Sequence, residues 1–293
     1  MYYVVYGLLY LFSLLPLQVL YLFGDLAFLV IYYIAGYRRK VVAANLLIAF
    51  PDKTKQERKK IAWKFYRSFT DNLFELIKLI SANKKFIQKH FTGDFSVFEE
   101  IHKNMGKRSQ FLLSHQFNWE LACLGIPLNI PQLFLVAYMP PSSRIADRLI
   151  QKIRLRTGCA LVSVYDIGKS MIRYRNREYV LALVADQNPR QSGERYWIRF
   201  FGKPAPFEKA PESSARKSNM PVVFGYFKKI KRGYYTSNYF LGAEKPSALN
   251  PGELTVQYVR FLEKTISEQP ENWLWSHRRW KWDWQSESGE LIG

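Results

Sequence analysis

The sequence predicts an α/β fold, a mixed sheet flanked by helices, with an apolar helical element ahead of it. Short apolar runs of strand length, from Phe111 to Ser114 and from Tyr179 to Ala185, end on polar residues. Longer amphipathic stretches separate such runs, and strands alternating with helices argue for a sheet covered on its faces. Ahead of both lies a stretch from Tyr2 to Ala35 in which Asp25 is the only charged residue.

That stretch exceeds the roughly 20 apolar residues that suffice to span a bilayer, and no small-residue cleavage site follows it. Pro16 interrupts it and predicts a kink or a split. It reads as one tilted span with an interfacial segment, or as a re-entrant pair of helices. A buried hairpin is disfavoured because a polar face is nearly absent. Tyr32, Tyr33 and Tyr37 suit an interfacial belt, and Arg38-Arg39-Lys40 directly after them places the downstream part on the cytoplasmic side. The expected division is a membrane anchor over residues 1–36 and a catalytic domain over 37–293.

In that domain, Arg38 to Ala49 and Lys55 to Leu79 read as amphipathic helices around a turn at Pro51-Asp52. After the strand at Phe111 comes a second at Leu133 to Tyr138, then an arginine-rich helix from Ser143 to Arg156. Leu161 to Val164, Tyr179 to Ala185 and Pro221 to Phe227 are further strands. A basic turn, Lys228 to Gly233, leads to a strand from Tyr234 to Leu241, and Glu253 to Glu268 is helical. Trp197 to Ala205 suits either an acyl groove or a twisted edge strand. Near the end, Trp273 to Trp282 sets four tryptophans among three cations, which suits cation–π stacking or a headgroup region.

Composition narrows the function classes. The net charge is +19 and aromatics reach 16%, which together suit nucleic acid or an anionic membrane surface. The apolar N-terminus favours the membrane, and no nucleic-acid partner is expected. Cys123 and Cys159 form no disulfide framework, which suits a reducing compartment. The four histidines, His90, His102, His115 and His277, lack the H-E-x-x-H spacing, and there is no CxxC, so no metal site is expected.

The candidate chemistry sits after the first strand, in Ser114-His115-Gln116-Phe117-Asn118-Trp119-Glu120. His115 falls at the carboxyl end of a strand, where open α/β sheets place ligands. Asn118 caps the helix that follows, and Glu120 lies in its first turn, where the helix dipole favours a carboxylate. A neutral imidazole held by a carboxylate is a general base for a hydroxyl. Asp186, at the end of Leu181-Ala182-Leu183-Val184-Ala185, could face the same cleft, and either Glu120 or Asp186 could hold the imidazole. Ser114 points to the opposite face of the strand, and no G-x-S-x-G elbow is present.

Taken in order, these residues resemble the bacterial lysophospholipid acyltransferase superfamily, and most closely the lipid A biosynthesis late acyltransferases, the lauroyl and myristoyl transferases. The matching points are Arg38-Arg39-Lys40 to Phe50-Pro51, the His115 to Glu120 H-x4-E box, Asp147-Arg148, Asp186-Gln187, Phe201-Gly202-Lys203-Pro204-Ala205, Ala215-Arg216 and Trp275 to Lys281. The resemblance implies a glycerol-3-phosphate acyltransferase-like fold and an O-acyltransferase at the cytoplasmic face of the inner membrane. It further implies an acyl carrier protein thioester, or acyl-CoA, as donor, an anionic glycolipid hydroxyl as acceptor, and no cofactor. His115, Glu120 and Asp186 are the candidate catalytic residues. Asn118, Arg148, Arg154, Gln187, Arg190 and Arg216 are the candidate substrate-binding residues, arginine forks suiting lipid phosphates. Mannoside acyltransferases share the pattern, and Met139 stands where the resemblance implies a cation. Another membrane lipid, whether phospholipid, aminolipid or mannoside, is therefore the alternative acceptor. A lipid hydrolase using the same histidine is the rival enzyme class, and a basic nucleic-acid-binding protein is the rival outside enzymes.

Overall fold

Pro16 divides the apolar N-terminus into α1 (Tyr2–Leu14) and α2 (Leu17–Leu29), and a π-helical turn, Val30–Ile34, prolongs α2. The computed structural model describes residues 1–190 and 193–293. Next comes α3 (Arg39–Ala49), then α4 (Lys55–Lys78), which opens on a capping box that sequence reading passed over. Thr54 Oγ1 accepts from the Glu57 N–H at 3.2 Å, and Glu57 Oε2 accepts from the Thr54 N–H at 2.7 Å. The short helices α5 (Lys84–His90) and α6 (Ser96–Glu100) precede α7 (Trp119–Gly125), α8 (Arg144–Arg154) and α9 (Ile167–Ile172). The last two helices are α10 (Ala210–Ser218) and α11 (Glu253–Glu268).

The strands are β1 (Phe91–Gly93), β2 (Arg108–Leu113), β3 (Leu133–Tyr138), β4 (Ala160–Ser163) and β5 (Tyr179–Val184), followed by β6 (Arg195–Phe200), β7 (Lys203–Glu208), β8 (Val222–Lys231), β9 (Tyr234–Ala243) and β10 (Leu291–Ile292). Seven of them form one mixed sheet in the order β1-β9-β8-β2-β5-β3-β4. Neighbours run parallel throughout, except for the antiparallel β8–β9 hairpin. Central strands covered on both faces read as unbroken apolar runs, and β2 is accordingly buried from Ser109 to Leu113. A core of Phe65, Phe98, Phe111, Phe117, Leu262 and Trp273 joins the sheet to the helices.

Local pairing and packing decide how three segments fold. Lys228 to Lys231, expected as a turn, continues β8, because pairing with β9 supplies its backbone partners and confines the turn to Arg232-Gly233. Trp197 to Ala205 is a hairpin in a second, three-stranded sheet, β10-β6-β7, which matches the edge-strand alternative. Its two-residue turn, Phe201-Gly202, holds both residues at positive φ (50° and 75°), the geometry whose twist suits a tight hairpin. The tryptophan-rich ending divides: Trp282 stacks on Arg195 and Lys281, as the cation–π reading expects, whereas Trp273 and Trp275 are buried in the core.

The N-terminus differs as well. Along its length α2 packs on α4: Tyr21 Oη donates to Glu75 Oε1 at 2.7 Å, Arg67 donates to Asp25, and Phe28 meets the Trp63 ring edge-on. A polar stripe therefore exists on this helix, and it faces the domain. Asp25 is also held by Arg232 at the tip of the β8–β9 hairpin, at 2.7 Å.

Candidate active site

The register of the two central strands builds the site. Leu113 of β2 lies opposite Val184 of β5. Each strand ends there, and the second residue past each end is a titratable one, His115 after β2 and Asp186 after β5. The two meet: His115 Nδ1 lies 2.7 Å from Asp186 Oδ1, and the His115 backbone N–H donates to Oδ2 at 3.0 Å. Trp273 Nε1 donates to the same Oδ2 at 2.7 Å. Burial alone would raise the Asp186 carboxyl, but the adjoining imidazole and these three donors outweigh it and lower its pKa, so the group is ionised. An ionised carboxylate only accepts, so Nδ1 of His115 carries the proton and Nε2 is left as the basic nitrogen. The imidazole is a quarter exposed while Asp186 is buried, which leaves the base open to a ligand and its partner shielded.

The C-terminal segment closes the floor. Gln116 and Trp273 form an antiparallel bridge, the Leu274 N–H donates to His115 O at 3.1 Å, and Asn272 Nδ2 donates to Phe117 O at 2.8 Å. The same segment brings in His277, whose Nε2 accepts from the Asn188 N–H at 3.3 Å. Arg279 is fully buried with no carboxylate paired to it among the described residues. Asn188 Oδ1, Pro206 O and the Phe207 ring, 4.1 Å from its guanidinium carbon, compensate its charge. Burial holds the His277 imidazole down to about 4; Asp186 opposes this, while Arg279, His115 and Arg38 reinforce it. The unfolded chain takes up this proton below about 6.5, whereas the folded protein does not until near 4. Stability from a neutral His277 is therefore present at neutral pH and is lost as pH falls across that window. Urea midpoints measured across that range should fall for the wild type and fall less for His277→Gln; equal slopes would refute this assignment.

Glu120 is engaged elsewhere. Arg154 of α8 grips it with two bonds, Nε to Oε2 at 2.9 Å and Nη2 to Oε1 at 2.6 Å, and Trp119 Nε1 adds a third at 3.0 Å. Of the two carboxylates left open by the sequence, Asp186 is therefore the one on His115 Nδ1. The Glu120–Arg154 pair ties α7 to α8, with side chains only 7% and 14% exposed. Removing one partner of a buried pair strands the other charge, at about 3–5 kcal/mol. Arg154→Met should lower the unfolding free energy by that amount, and adding Glu120→Leu should restore much of it. A single variant as stable as wild type in urea titration would contradict the pairing.

The remaining candidates scatter. Asn118 is fully buried, with Oδ1 capping α7 at the Leu121 N–H and Nδ2 bonded to Glu75 at 2.8 Å. Arg148 lies on the Tyr2 ring and Arg190 on the Tyr165 ring, both exposed. Gln187 is half-buried beside Asp186, and Arg216 lies on α10, away from the pair's strand ends. Trp273 and His277 escaped notice as members of the site. Their only signal was the tryptophan-rich run from Trp273 to Trp282, which carries no hint of which strand end it meets. Cys123 and Cys159 are both buried, with sulfurs 4.0 Å apart and no disulfide. Among the described residues no His, Cys, Asp and Glu group could hold a metal.

A parallel-centred sheet carries the histidine–aspartate pair at its carboxyl edge, where open α/β proteins bind their ligands. The family model for bacterial lipid A biosynthesis acyltransferases matches residues 1–282 of the 293. The chain belongs to that family, and it is an acyltransferase of the lipid A type. No curated protein matches the sequence.

Proposed function

We propose that the protein is a membrane-associated O-acyltransferase that moves a fatty acyl chain from an acyl carrier protein thioester to a hydroxyl of a lipid A-type glycolipid, at the cytoplasmic face of the inner membrane. The observation that carries this reading is the His115–Asp186 pair, with its free Nε2, in a chain of this family. Nε2 takes the acceptor proton as the hydroxyl oxygen bonds to the thioester carbonyl carbon. The carbon–sulfur bond then breaks, and the imidazolium returns the proton to the departing sulfur. Asp186 keeps the imidazole in the Nδ1–H tautomer and stabilises its charged form. The thioester is already activated, so no acyl-enzyme is required. Gln187 and Arg190, next to Asp186 in the chain, are proposed to meet the acceptor. Glu120 and Arg154 hold α7 and α8 in place. The charge of +19 favours both an acidic carrier and a phosphorylated lipid.

The test is incubation of the purified full chain in detergent with labelled acyl carrier protein and a lipid A precursor. Ester formation on the glycolipid supports the reading. Label released only as free fatty acid, whatever acceptor is present, would replace it with a hydrolase.

A further inference from the structure

The helix most able to cross a membrane is tied to the domain in a way that forbids crossing. Leu17–Ile34 has 18 residues and a mean hydropathy of 1.8, about 27 Å of helix at 1.5 Å per residue. By length it qualifies as a span. Yet the contacts Tyr21–Glu75 at one end and Phe28–Trp63 further along show α2 running antiparallel beside α4. A bilayer-crossing α2 would carry Lys64, Arg67, Asp71, Glu75 and Lys78 of α4 into the hydrocarbon, along with Arg232. Each charge at that depth costs a few kcal/mol or more.

The opposite faces of α1 and α2 tell the other half. Val4, Leu8 and Leu11 of α1 are 66%, 65% and 64% exposed, and Leu22, Leu26 and Leu29 of α2 are 69%, 60% and 49% exposed. Both sets follow the i, i+4, i+7 spacing of a single helical face. The inner face of α1 is committed to protein: Lys152 of α8 lies 3.7 Å from the Tyr6 ring centre, and Lys78 Nζ donates to Ser13 O and Leu15 O at 2.9 Å. Each helix is thus apolar outward and bonded inward. Exposed cations follow directly at Arg38, Arg39 and Lys40.

We propose that α1 and α2 form a monotopic platform that enters one leaflet of an anionic-lipid membrane and does not cross it. The apolar faces take the acyl region, and the basic run after them takes the phosphates. The platform abuts the catalytic edge: Arg38 Nη1 donates to Ser276 O at 2.9 Å, one residue before His277. A lipid acceptor therefore reaches His115 from the leaflet in which the protein is seated. This rests on the membrane association in the reading above and specifies its mode.

The test uses everted membrane vesicles from bacteria making the full chain with a protease-cleavable tag ahead of Met1. A monotopic platform predicts cleavage by external protease without detergent. Protection until detergent is added would overturn the proposal. Depth separates a shallow platform from a re-entrant hairpin. A nitroxide on Leu26→Cys, in vesicles of phosphatidylethanolamine and phosphatidylglycerol, should sit within about 10 Å of the headgroup boundary. A position at the bilayer centre, about 15 Å in, or no binding to such vesicles, would overturn it too. Acyl transfer in detergent is scored separately. A crossing topology with activity intact sinks only the platform, whereas a shallow platform without transfer sinks only the acyltransferase reading.

Discussion

Replacing His115 with alanine is expected to lower acyl transfer by about 10² to 10⁴-fold, the usual worth of a general base, with the fold intact. The side chain is partly open to solvent, and its one polar bond is to Asp186. Little packing is lost, and circular dichroism should be unchanged. No other histidine can substitute. His277 presents Nε2 to the Asn188 N–H, His90 is buried with Nδ1 on Gly233 O, and His102 faces Glu178 away from the strand ends. A folded variant with near wild-type transfer would remove His115 from the chemistry.

Asp186→Asn is expected to be comparably damaging, up to about 10⁴-fold, the loss seen when the orienting aspartate of a Ser-His-Asp triad becomes asparagine. Three donors converge on its two oxygens: His115 Nδ1–H, the His115 backbone N–H and Trp273 Nε1–H. An amide offers one oxygen, so one donor must face an NH₂ group. The tautomer that frees Nε2 then loses its support, as does the imidazolium. The fall should appear in kcat, with KM nearly unchanged, because Asp186 is fully buried behind His115. It should exceed the fall for Glu120→Gln, whose carboxylate serves Arg154. The reverse ranking would return the orienting role to Glu120.

How much of this could be read in the chain depends on how local the cause is. His115 and Asp186 were legible because each ends an apolar run, and a run of strand length can end only at a sheet edge. That they meet follows from the Leu113–Val184 register, which is tertiary and leaves no mark on either segment. The H-x4-E box suggested a His115–Glu120 pair by proximity in the chain. The true partner of Glu120, Arg154, lies on a different helix, and only α7–α8 packing brings it there. The division of the N-terminus at Pro16 was legible for the same local reason. Its polar stripe was not, because Tyr21 and Asp25 look polar to the domain only once Glu75 and Arg232 face them. The Trp273–His277 segment was visible as a motif but not as the floor of the site, since it zips onto residues 115–117 from the far end of the chain.

The most direct measurement of the central claim is a single-turnover experiment. Enzyme in excess is mixed with labelled acyl carrier protein and a lipid A precursor, quenched at intervals, and read by intact mass of both protein and lipid. The account predicts that the glycolipid gains one acyl mass as the thioester is consumed, that the protein mass never changes, and that His115→Ala leaves the thioester intact. An acyl adduct on the protein, on Ser114 or elsewhere, that forms and decays at the rate of transfer would contradict direct general-base attack.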